Sequence, residues 1–374
     1  MTPPPGTWLT RLWPRPVPGA SWTVVSTVAE PPALLYAFVA HYLGLGADEV
    51  HLFIDDPDQP GLAPLRAMDR VRLTICDDAY WDEVNNGVRP RGQELRQIRN
   101  ASRAYRACRT DWMFFCDADE YLTARKPVAQ ILAGVDPKVM HCRPHMAERA
   151  FDAERAQADL FDGVLKLPLP NRPRILDAVY GGLAPLTTGG FLGHVIGKSF
   201  TRTGQDLVIR IHMPAPADPA EEARLREAKK MGPGPRLPEC WLVHYDGLTP
   251  LHWRLKILRY ALEYAALRAA GVAQPFAARL PARQRQIRRV HDSRDRRATF
   301  AELQPLILLD AAQQARLREA GGLLDSRPDP GAAARQLVEG TEGAPQALRF
   351  SAEAFDAALR DRRGDLIAQH GLEL

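Results

Sequence analysis

The run Trp112-Met113-Phe114-Phe115-Cys116 is apolar and stops abruptly at Asp117-Ala118-Asp119-Glu120, three carboxylates interrupted by one small residue. A buried strand that delivers acidic groups to the edge of a sheet is one way for a protein to place a divalent cation. On an extended backbone Asp117 and Asp119 lie two positions apart and point the same way, so they can share one hard, oxygen-liking ion such as Mg²⁺ or Mn²⁺. Such an ion is suited to holding a diphosphate. The competing reading is a strand end whose carboxylates cap a following helix, and for an isolated Asp-x-Asp that reading is favoured. The surrounding elements tip the balance toward chemistry.

Those elements alternate regularly. Residues 22–28 read as a first strand, and Pro31 and Pro32 open a helix with Leu34, Leu35, Phe38, Val39, Tyr42 and Leu43 at helical spacing, ended by Gly44 and Gly46. Residues 49–54 form a second strand, followed by an acidic loop from Asp55 to Pro60, a short helix and a third strand over 71–76. This βαβαβ order predicts a parallel sheet with right-handed crossovers. A helix over 92–108 then feeds the apolar strand that ends at Asp117. Further strands are expected over 138–143, 207–211 and 240–245, with long loops over 167–204 and amphipathic helices from residue 250 onward. In an open parallel sheet, ligands bind beyond the carboxyl ends of the strands. Thr27 and Glu30, Asp55 and Asp56, and the Asp117 cluster all fall there, and three polar strand ends make a better pocket than one.

Composition narrows the classes. A chain of 374 residues with 45% apolar content can bury a large core and is neither disordered nor fibrous. The formal net charge is only +4, and 42 of the 49 basic residues are Arg spread along the chain, which does not argue for nucleic-acid binding. The five cysteines, Cys76, Cys108, Cys116, Cys142 and Cys240, show no Cys-x-x-Cys pairing and read as reduced residues of a cytoplasmic protein. The prolines between Pro3 and Pro18 exclude a helical secretory segment there, and no run reaches membrane-spanning length. Peripheral association with the inner face of the membrane stays open. The Arg-rich run 283–297 reads as a solvated helix face or linker.

Several further motifs stand in a fixed order: residues 24–30, 41–50, 97–100 and 111–122, then Gly193-His194, Gly197-Lys198-Ser199-Phe200, Ile211-His212, and His244-Tyr245 followed by Lys256. In these pieces the chain resembles bacterial family 2-type glycosyltransferases of the GT-A fold, which carry an Asp-x-Asp-Glu-Phe/Tyr-like block. The resemblance spans roughly residues 22–260 and rests on ordered motifs, far more specific than a lone Asp-x-Asp. Ala29 departs from it, standing where such proteins usually have Asn. The resemblance implies a GT-A-like, mainly parallel α/β sheet flanked by helices with a helical C-terminal extension. The domains then read as a Pro-rich segment at 1–20, a catalytic domain over 21–249 and a helical region over 250–374.

It also implies transfer of a sugar from a nucleotide-diphosphate sugar to a glycan or other hydroxyl acceptor, with inversion, as in polysaccharide biosynthesis. A divalent cation, Mn²⁺ or Mg²⁺, would stabilise the negative charge that grows on the diphosphate. Asp119 would ligate it directly, Asp117 through water or by contacting the ribose, and His244 would complete its shell, against a packing role for that histidine. Asp55 and Asp56 would meet the base or ribose, against a plain turn. Arg99, beside Asn100, would pair with phosphate, and Lys198 would serve phosphate or acceptor because Gly193 and Gly197 allow close approach. The general base would come from Glu120, Glu148 or Asp246. The alternatives are a nucleotidyl- or phosphotransferase and a catalytically silent nucleotide-sugar-binding protein. Oligomeric state is not legible.

Overall fold

The computed structural model describes residues 18–228, 232–272, 281–339 and 348–373, so the Pro-rich lead lies outside the described residues as far as residue 17. The chain divides into two units: Met1–His145 with Ile196–Leu242 and Pro328–Leu348, and Met146–Val195 with Val243–Arg327 and Arg349–Leu374. Residues 250–374 contribute to both.

In the first unit the strands are β1 (Trp22–Val28), β2 (Glu49–Ile54), β3 (Val71–Ile75) and β4 (Trp112–Phe115). They run parallel in the order β4-β1-β2-β3, with Val25 paired to both Phe115 and His51, and Ile54 paired to Ile75. Every residue of β1 is buried, Thr23, Ser26 and Thr27 included, as befits a strand inside a parallel sheet covered by helices. The helix Pro32–Gly44 buries Leu34 through Leu43 and packs against the late helix Pro330–Glu339. On the helix Gln93–Ala107, Ala101, Ala104 and Tyr105 join a core with Val25, Phe53, Met113 and Phe115. The α/β class with a parallel sheet between helices is therefore the one the sequence predicts.

After β4 the chain turns into β5 (Glu120–Ala124). The helix Pro32–Gly44 holds β5 in place: the Tyr42 hydroxyl donates to the Glu120 carbonyl at 2.9 Å, and His41 Nε2 donates to the Leu122 carbonyl at 2.8 Å. A long strand, β6 (His141–Asp152), begins in this unit and replaces the short one expected at 138–143. The strand Phe200–Arg202 runs antiparallel to β4, with Phe114 opposite Phe200. The strand expected at 207–211 shrinks to Leu207–Val208.

In the second unit the end of β6 pairs antiparallel with Val164–Lys166 and parallel with Leu308–Leu309. Helices Pro250–Ala269, Ala282–His291, Arg296–Leu303, Ala311–Glu319 and Ala352–Gln369 belong here, which is the expected helical C-terminal region. Their core includes Trp253, Ile257, Leu258, Phe300, Leu303 and Leu306. Within the stretch expected to be loop, Pro173–Tyr180 is helical, since Pro173 sits in the first turn and Ile175, Leu176 and Val179 share one side of the helix. Among the described residues no helix is long and apolar enough to cross a membrane.

Candidate functional site

The carboxyl end of β4 is the centre of the site in the first unit. Asp117 to Glu120 is not extended. Glu120 N–H donates to the Asp117 carbonyl at 3.1 Å, and Asp117 N–H donates to Glu120 Oε2 at 2.9 Å, closing a reciprocal turn. The expectation that Asp117 and Asp119 point the same way from an extended backbone is thus corrected. The turn pairs Asp117 with Glu120 three residues on, between the end of β4 and the start of β5. Asp117 and Asp119 are half-buried and Glu120 is buried.

Asp117 is engaged on both oxygens. Gln97 Nε2, from the helix Gln93–Ala107, donates to its Oδ1 at 2.8 Å, and Lys198 Nζ lies 2.9 Å from its Oδ2 and 4.0 Å from Glu120 Oε2. Lys198 reaches the turn because the β4 ladder, continued past Phe114–Phe200, brings the preceding residues of the antiparallel strand beside the end of β4. Gly197 and Ser199 are both fastened to His212: its Nδ1 donates to the Gly197 carbonyl at 3.0 Å, and Ser199 Oγ donates to the His212 carbonyl at 2.7 Å. Burial acts to lower the pKa of the Lys198 ammonium, but Asp117 and Glu120 outweigh it and hold it above its ordinary range. Glu30, just beyond β1, is half-buried. Burial, reinforced by the charges of Asp119 and Asp117, raises its carboxyl to about 7 against a hydrogen bond from Ala29 N–H.

The remaining expected residues of this unit separate into buried links and exposed groups. Asn100 is fully buried; its Nδ2 donates to Thr27 Oγ1 at 3.0 Å and its Oδ1 accepts from the Tyr80 hydroxyl at 2.6 Å. Thr27 and Asn100 therefore tie β1 to the helix Gln93–Ala107. Asp55 is clamped by Arg96, whose Nε lies 2.9 Å from Oδ1 and whose Nη2 lies 2.8 Å from Oδ2, and by Arg89 at 3.0 Å. Asp56 is exposed and accepts from Asp58 N–H at 3.1 Å, an Asx turn. Arg99 is exposed while Arg96, one turn earlier, makes the buried contact.

Glu148, His244 and Asp246 belong to the second unit. Glu148 accepts from Leu192 N–H at 2.8 Å and Gly193 N–H at 3.2 Å and lies 3.0 Å from Lys166 Nζ, with both side chains almost wholly buried. Asp246 pairs with Lys256 at 3.0 Å and with Arg283. Burial would raise its carboxyl, yet Arg283, Lys256 and His244 hold it well below the usual carboxylate range. Arg283, from the run expected to be solvated, is therefore an internal partner; a dense Arg run hides the members that turn inward. His244 is half-buried, and a Cβ placed on Gly193 would come within 4.0 Å of its ring.

Among the described residues, no group of three or more His, Cys, Asp or Glu side chains is arranged to hold a metal ion. Within the first unit, Gln97 Nε2 and Lys198 Nζ each meet one oxygen of Asp117, so that carboxylate is held by protein groups in the structure. Arg96, Lys166 and Arg283 are contributors that sequence reasoning missed, and Gln97, inside the 97–100 motif, was given no role of its own. Gln97 carried a signal, one turn before the predicted Asn100 on a helix leading to the acidic strand.

Comparison with known proteins finds no matching family model and no matching curated sequence. Among solved structures, the chain is similar to a mycobacterial protein at 15% identity, covering 76% of this chain and 87% of that one, with a TM-score of 0.30. It is also similar to GalNAc-T7, crystallised with UDP, GalNAc and Mn²⁺, at 11% identity and a TM-score of 0.30, covering 72% of this chain and 55% of that one. Neither likeness assigns an activity to this chain.

Proposed function

We propose that the chain is a glycosyltransferase that moves a sugar from a nucleotide-diphosphate sugar to a hydroxyl acceptor, at the carboxyl end of the parallel sheet of the first unit. The observation that carries this reading is the acidic turn after β4, lying in line with the ends of β1 and β2 in one parallel sheet. In the reaction the bond from the anomeric carbon to the diphosphate breaks, the acceptor oxygen forms a new bond to that carbon, and the acceptor proton leaves to a base. Of the three bases expected, Glu148 and Asp246 are neutralised by Lys166 and by Lys256 with Arg283, and Glu120 is spent on the turn. We assign the proton to Glu30, which is half-exposed at the end of β1 and electrostatically coupled to Asp119 and Asp117.

The test is release of nucleoside diphosphate from a panel of nucleotide sugars, with simple glycans and water as acceptors. Turnover with one donor, reduced at least about 100-fold in Glu30→Gln, supports the reading. Normal turnover in that variant removes Glu30 from the reaction. A second reading, a silent nucleotide-sugar-binding protein, draws on the number of strand-end groups already satisfied internally: Thr27, Asn100, Asp55 and Asp117. Binding without release under every condition would favour it.

A further inference from the structure

Lys198 and the acidic turn lie far apart in sequence, as a phosphate-binding candidate and a metal-binding candidate, and the fold brings them into contact. We infer that Lys198 is the resident cation of the turn: it takes the carboxylates of Asp117 and Glu120 that a divalent ion would need, so a divalent ion alone does not bind there. Its Nζ is 2.9 Å from Asp117 Oδ2 and 4.0 Å from Glu120 Oε2. Gln97 holds the other oxygen of Asp117 at 2.8 Å, and Asp117 N–H holds Glu120 Oε2 at 2.9 Å. A metal entering this position must move an ammonium whose side chain is only 1% exposed, and that would leave a buried charge without its partner.

Lys198 is also not a swinging surface side chain. Its neighbours Gly197 and Ser199 are both bonded to His212, and its ammonium lies 5.2 Å from the centre of the Phe115 ring. Gly197 takes a left-handed backbone, φ +77°, immediately before it. The lysine is therefore delivered to the turn by a braced segment. An ammonium has three donors, and a compact, strongly hydrated charge of this kind holds a carboxylate as a point charge without demanding the ligand shell of a metal. This deepens the donor-site reading by identifying the fixed charge at the turn, and its test needs no nucleotide.

The experiment is titration of the full chain with Mn²⁺ alone, followed by the electron paramagnetic resonance signal of the free ion. Wild type and Lys198→Arg are expected to leave the signal undiminished up to about millimolar Mn²⁺. Lys198→Met is expected to bind a single ion at least ten-fold more tightly than wild type, and adding Asp117→Asn is expected to abolish that binding. Binding of one Mn²⁺ by wild type, lost in Asp117→Asn, would overturn the inference, as would a folded Lys198→Met that binds no better than wild type. Circular dichroism reports whether Lys198→Met folds, and if it does not, the wild-type and Asp117→Asn titrations decide the matter. A chain that binds no nucleotide would refute the donor-site reading while leaving this result as it stands.

Discussion

Two buried histidines make the first unit sensitive to acid. Burial lowers the His41 imidazole to about 4, even though the ring donates to the Leu122 carbonyl, and lowers His51 to about 3, with Arg72 and Arg103 adding to the effect. Both are neutral in the folded chain and near 6.5 when exposed, so the unfolded chain takes up protons first. The stability they contribute is complete above about pH 6.5 and is lost as pH falls toward 4, by about 3 kcal/mol for His41 alone. Melting temperature should therefore fall over that interval, and a His41→Gln, His51→Gln double variant should show a shallower slope. An unchanged slope would mean that the acid response lies in other groups. At the turn, one residue type was readable and its partner was not. Asp117 advertises itself by following an apolar run, whereas Lys198 meets it through a pairing between segments that no local pattern encodes.

At the scale of elements, β1 and β2 were legible to the residue because each is rich in β-branched and aromatic residues and is followed within two residues by an acid, Glu30 or Asp55. The reversal at Asp117–Glu120 was not, since Ala118 is no turn marker and the turn is made by hydrogen bonds between Asp117 and Glu120 themselves. Helix Gln93–Ala107 shows how a polar face can be structural. Asn100 joins Thr27 to Tyr80 with no exposure, so Asn100→Ala leaves two buried partners unsatisfied and should cost about 1–3 kcal/mol in urea unfolding. A loss below a few tenths of a kcal/mol would show that water replaces it. The helix Pro330–Glu339 packs on Pro32–Gly44, and Leu337→Ala, fully buried, should cost about 2–5 kcal/mol. Its membership of the first unit was hidden because amphipathic helices carry no label for the surface they cover.

Considered as a whole, the molecule concentrates its strand-end acids in the first unit, while the second neutralises its own with Lys166, Lys256 and Arg283. A bound donor should then protect amides selectively. Hydrogen exchange with a nucleoside diphosphate is expected to slow around Asp117–Glu120 and the ends of β1 and β2, with the helices Arg296–Leu303 and Ala311–Glu319 unchanged. Protection confined to those two helices would place binding elsewhere. The central claim is that the turn after β4 holds a nucleoside diphosphate together with a divalent ion that arrives with it and that Asp119 would ligate, and calorimetric titration of wild type and Asp119→Ala with a panel of nucleoside diphosphates and Mn²⁺ tests it most directly. The account predicts saturable binding of one nucleotide by wild type, weakened at least ten-fold in Asp119→Ala. Equal affinity in the two proteins, or no binding by wild type in the presence or absence of Mn²⁺, would contradict it.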